Sequence, residues 1–86
     1  MPVEINTEVL NRIRLAIEQG QHMQIRHMLS EWYPADIAEA IRQFDDTEAL
    51  IVFKAISADT ASEVLLELDE TRREILLSSL STKQIA

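Results

Sequence analysis

Apolar residues recur along this chain at spacings of three and four, the period of one helix face. Val9, Leu10, Ile13, Ala16 and Ile17 share such a face. Asn6 or Thr7 can cap the start of that helix, and Gly20 can end it in a left-handed conformation. A short second helix is predicted from about His22 to Ser30, burying Ile25, Met28 and Leu29. Pro34 stands at the first turn of a third, where its missing N–H costs nothing. That helix carries Ile37, Ala40, Ile41 and Phe44. Asp45 and Glu48 make a capping-box pair before a fourth helix, whose inward residues are Ala49, Val52, Phe53 and Ile56. Ser57 starts a fifth with Ala61, Val64, Leu65 and Leu68 inward, and Asp69 caps a sixth with Ile75, Leu76 and Leu80. Ser81 and Gln84 resemble one further capping box close to the last residue, which leads us to expect a piece of a longer protein.

A repeat underlies the pattern. Residues 36–57 align without gaps on 60–81 after a shift of 24. Glu39 meets Glu63, Asp45 meets Asp69, Thr47 meets Thr71, Ile51 meets Ile75 and Ser57 meets Ser81. Other pairs stay apolar, among them Ile41/Leu65, Phe44/Leu68 and Ile56/Leu80, whereas Leu50 meets Glu74. A further copy fits upstream, where Ile13, Ala16, Ile17 and Gln19 fall on Ile37, Ala40, Ile41 and Gln43. Unrelated segments of ordinary composition would share about one identity. Each unit is a pair of helices too short to persist alone, so the units must stack to bury a common core. The expectation is a single all-α domain, 1–86, with repeats at about 12–35, 36–59 and 60–83 in a solenoid.

Composition narrows the function. The 86 residues hold one Gly, two Pro and no Cys. That excludes disulfides, thiolate metal sites and a glycine-rich phosphate loop. The longest apolar run, Ala49–Phe53, is too short to cross a bilayer. Fifteen acids against eight bases give a formal charge of -7, the wrong sign for nucleic acid or anionic lipid. No serine has the context of a nucleophile, and His22 and His27, five apart, do not share a helix face, so neither an enzyme nor a zinc site is expected. Trp32 and Tyr33, at a helix junction, are expected to pack between repeats. Arg72 and Arg73 are expected to pair on the surface with Glu70, Glu74 or Asp69.

The most informative charge feature is a gap. From Ala55 to Thr71 there is no Lys or Arg, yet five acids occur: Asp59, Glu63, Glu67, Asp69 and Glu70. The first three, spaced i, i+4, i+8, form one carboxylate stripe on a helix. Like charges at that spacing cost roughly 0.2–0.5 kcal/mol per pair. In the plain reading the stripe is a solvated face. In the chemical one it meets a divalent cation or a basic partner. Mg²⁺, a hard ion held by one or two carboxylates and several waters, suits such a surface.

Three stretches carry a resemblance. Tyr33-Pro34-Ala35-Asp36-Ile37-Ala38-Glu39-Ala40-Ile41 resembles the "HPADIAELL" stretch of the MgtE family of magnesium transporters and channels. Val52-Phe53-Lys54-Ala55-Ile56 resembles its "LF..L" element, and Ala61-Ser62-Glu63-Val64-Leu65-Leu66-Glu67-Leu68-Asp69 its "AAEVL.ELD" element. Tyr33 stands where the family often has His, and Ser57 where it often has Pro. The resemblance implies a cytoplasmic N-terminal domain, a right-handed superhelix of short helices. Its partners in the same polypeptide would be a pair of CBS domains and a transmembrane pore, in a homodimer at the plasma membrane. Mg²⁺ would bind weakly between the acidic faces of the N domain and the CBS domains and close the pore. Carried over by position, the glutamate of the "AAEV" element is Glu63, and Asp59 and Glu67 flank it as candidate ligands. Other family acids lie in the next repeat, so this chain would hold only part of the sensor. A related repeat in flagellar motor-switch proteins offers the alternative of a metal-free docking module.

Overall fold

A computed structural model describes residues 5–85, with side chains up to Leu80. Six helices follow one another: α1 (Thr7–Glu18), α2 (His22–Leu29), α3 (Pro34–Gln43), α4 (Asp46–Ala55), α5 (Ala58–Glu67) and α6 (Glu70–Ile85). No strand forms among the described residues, so the all-α class expected from the periodicity holds.

The helix ends follow local chemistry. Asn6 Oδ1 accepts the Val9 N–H at 3.0 Å and opens α1. Gly20, at φ 67°, closes it. The Gly20 N–H then reaches the Ile17 carbonyl and the Gln21 N–H the Ala16 carbonyl, the paired bonds of a Schellman motif. Pro34 opens α3 behind an extended Tyr33. Asp45 and Glu48 form the expected capping box of α4, with bonds of 2.8 and 3.1 Å. Ser57 Oγ accepts the Thr60 N–H to start α5, and Asp69 Oδ1 accepts the Arg72 N–H to start α6. α3 and α5 end alike. Phe44 and Leu68, 24 residues apart, each turn extended and bury an apolar side chain before the next cap.

One expected boundary is absent. The backbone does not start a new helix at Ser81; α6 runs unbroken to Ile85. The side chains of the Ser81–Gln84 pair lie outside the described residues. Ser and Thr cap only where the backbone leaves the helix, and within a helix they are tolerated.

Helices two apart pack together: α2 on α4, α3 on α5 and α4 on α6. α1 lies against α2 and α4, and α3 against α4. The starts of α3 and α5, and of α4 and α6, are 24 residues apart, an arrangement compatible with stacked helix pairs. The radius of gyration is 12.1 Å, about what a globule of this length has, so so few turns do not yet elongate the molecule.

Ile13, Ile25, Leu29, Ile37, Ile41, Val52, Val64 and Leu76 are the most deeply buried large side chains, and Phe53 joins them at 6 % exposed. Leu65 corrects the expected core. It is half-buried, although its repeat counterpart Ile41 is fully enclosed. The difference is positional: α3 has α5 against it, whereas no described helix covers the far side of α5. Leu77 shows the same effect, being 43 % exposed where its counterparts Leu29 and Phe53 are buried. Trp32 packs half-buried against the core, while Tyr33 is exposed rather than enclosed between repeats.

Candidate functional site

α5 carries the acidic stripe because its two faces differ in kind. Val64 and Leu68 are buried and Ala61 and Leu65 pack beside them, which fixes the helix against α3. Asp59, Glu63 and Glu67 fall on the opposite side, and all three are exposed. At 1.5 Å rise per residue, successive carboxylates stand about 6 Å apart along the axis. Three carboxylates on such a line cannot close around one ion. Among the described residues, no three acidic or histidine side chains converge as a ready metal cage. What the stripe offers is one face of a shared, hydrated site. His22 and His27 are both exposed on α2, away from any such grouping.

The arginines were expected elsewhere. Arg72 does not pair with Glu70, Glu74 or the Asp69 carboxylate. It crosses to the preceding unit, donating to the Phe44 carbonyl at 3.2 Å and pairing with Asp46 at 3.5 Å. Only its backbone N–H meets Asp69. Arg73 donates to the Leu68 carbonyl at 3.0 Å, and its Nε is buried without an acceptor. Arg73 stands where the repeat has Ala49 and Ile25, both fully buried, which accounts for its inward stem.

Arg42 was not singled out from the sequence, yet it positions the stripe. Its Nη2 donates to the Glu67 carbonyl at 3.2 Å while Nη1 pairs with Glu39. Arg42 and Arg73 thus both satisfy carbonyls at the C-terminal end of α5, where the helix dipole is negative. Arg14 serves α3 likewise, donating to the Gln43 carbonyl and Glu48 with its guanidinium 5.1 Å from the Phe44 ring centroid. The signal for these ties is a basic residue facing a helix end, and that becomes readable only when the packing is known.

The stripe is therefore uneven. Asp59 lies in the first turn of α5, beside the positive helix N-terminus. Glu67 lies at the other end, where Arg42 and Arg73 donate to the backbone carbonyls of Glu67 and Leu68. Glu63 has neither, so the least compensated negative charge of α5 is at its centre.

A sequence model of the MgtE intracellular N domain matches residues 32–86, nearly two thirds of the chain. The chain belongs to the MgtE N-domain family. No curated protein and no solved structure gives a significant match. The matched region covers α3 to α6 and so includes the whole α5 stripe. As a member of the MgtE N-domain family, the chain is the N-terminal part of a magnesium transporter, and the family domain is intracellular. Among the described residues no helix is long and apolar enough to cross a membrane.

Proposed function

We propose that this MgtE N domain is the Mg²⁺-sensing part of its transporter, with the exposed face of α5 supplying carboxylates to ions shared with neighbouring CBS domains. The observation that carries this reading is the stripe itself: Asp59, Glu63 and Glu67 exposed on a helix with no basic residue of its own. A sensor must release its ion when cellular Mg²⁺ falls, so its sites should be weak. Carboxylates from two surfaces sharing one hydrated ion meet that need. Mg²⁺ binding the closed arrangement better than the open one shifts the population toward closed, and the pore shuts. Because Glu63 is the least compensated of the three, it is the principal ligand, with Asp59 and Glu67 in support.

The test uses the full-length transporter. Protease protection is followed against Mg²⁺ concentration for the parent and for Glu63→Gln, Asp59→Asn and Glu67→Gln. Glu63→Gln keeps the side-chain volume and should raise the Mg²⁺ needed for closure most, with the fold intact because the residue is exposed. If all three variants close at the parent midpoint, the stripe is a solvated face and the proposal fails.

A further inference from the structure

A second polar locus adjoins the Asp59 end of the acidic stripe. Between the last turn of α2 and the start of α5 is a half-open cleft of about 200 Å³, lined by Arg26, Leu29, Ser30, Ile56, Ser57 and Thr60. In a chain of net charge -7, no acidic side chain lines it.

Arg26 is the informative member. The chain has six arginines. Arg12, Arg14, Arg42, Arg72 and Arg73 each hold a carboxylate or a carbonyl. Among the described residues Arg26 alone of the six makes no hydrogen bond or ion pair. It lines the cleft together with one other unspent donor. The Thr60 hydroxyl accepts from Ser57 Oγ at 2.9 Å and keeps its own proton to give. The Ser30 hydroxyl donates to the His27 carbonyl and is spent. Two donors, one of them cationic, thus border a cleft with no acceptor of matching charge.

The floor is different. Leu29 and Ile56 are 2 % and 8 % exposed, so the inner wall is hydrocarbon. A bare inorganic anion would leave that wall against water. A carboxylate with a short aliphatic chain satisfies both surfaces, its oxygens on Arg26 and Thr60 and its chain on Leu29 and Ile56. One guanidinium balances one negative charge, and Asp59 in the adjoining turn disfavours a dianion. We propose that this cleft binds small monoanionic carboxylates with a short alkyl chain, independently of any cation on the acidic face.

The experiment is a ¹⁵N-resolved NMR titration of the 86-residue chain with sodium propionate at constant ionic strength, with sodium chloride and inorganic phosphate as parallel arms. The expected result is saturable shifts confined to Arg26 Nε, Leu29, Ser30 and residues 56–60 with propionate alone. Arg26→Gln should weaken that binding roughly ten- to a hundredfold, as losing a charge-assisted hydrogen bond does. Thr60→Val, which keeps the shape and removes the hydroxyl, should weaken it by a smaller factor. Arg26 is exposed and unbonded, so its variant should otherwise keep the parent spectrum. Shifts that do not saturate, that appear equally with chloride, that are stronger with phosphate, or that persist in Arg26→Gln would each overturn the proposal.

Discussion

Ile41 and Leu65 occupy the same place in successive repeats, yet one is fully enclosed and the other half-buried. Truncating each to alanine isolates what the neighbouring helix contributes. Ile41→Ala removes atoms from a site walled on every side, so it loses transfer free energy and leaves a cavity, about 2–5 kcal/mol together. Leu65→Ala removes a side chain that solvent already reaches. It forfeits most of the transfer energy of a buried leucine, roughly 1–2 kcal/mol, and water fills the space so no cavity term is added. A domain of this size holds roughly 4–13 kcal/mol in total, so the first variant removes a large fraction and the second a small one. Urea unfolding followed by far-ultraviolet circular dichroism and by Trp32 fluorescence reads both. The midpoint should fall much further for Ile41→Ala, with the slope unchanged. Should Ile41→Ala be too unstable to measure, Ile41→Val, at about 0.5–1.5 kcal/mol, supplies the same comparison. Equal shifts for the two alanine variants would mean that α5 does not cover α3 as described.

Gly20→Ala should lower stability by about 1 kcal/mol, visible as a reduced melting temperature. A Cβ there meets no atom within 4 Å, so the whole cost is the left-handed backbone at φ 67°. An unchanged melt would contradict that turn. Asp45→Ala removes the Oδ1 that accepts the Glu48 N–H and should cost about 0.5–2 kcal/mol in urea unfolding, whereas Asp45→Asn, which still caps, should cost less. Arg42→Gln releases the carbonyl of Glu67 and should speed amide exchange around the α5–α6 junction more than around α1. Uniform acceleration along the chain would argue against a local tie.

How much of this was legible beforehand depended on the range of the interaction. Asn6, Asp45, Ser57 and Asp69 act on N–H groups three residues away, so the sequence alone places them. Gly20 is equally local. The exposure of Asp59, Glu63 and Glu67 was readable because the apolar residues of α5 claim the other side. The carbonyl partners of Arg14, Arg42 and Arg72 lie 25 to 29 residues off and become available only where one helix ends beside another. Periodicity likewise identifies Leu65 as inward-facing but says nothing of what stands opposite it. The continuation of α6 past Ser81 has the same root, since a capping sequence acts only where the chain turns.

The pairing of helices two apart carries a consequence for how the protein opens. α4 is flanked along the stack by α2 and α6, whereas α5 packs mainly on α3 and α6 mainly on α4. In a stacked array each unit's stability is its own plus that of its shared boundaries, so opening should begin at α5 and α6 and spread toward α1. The proposed cation face thus rides on the segment with the lowest opening free energy. An ion gripping that face should slow exchange at α5 and α6 long before it moves the global melting transition, because it acts on a partial unfolding that precedes the cooperative one. On the proposed reading the cation face and the first part to unzip are the same helices, and hydrogen-exchange protection of α5 and α6 would be a direct gauge of occupancy.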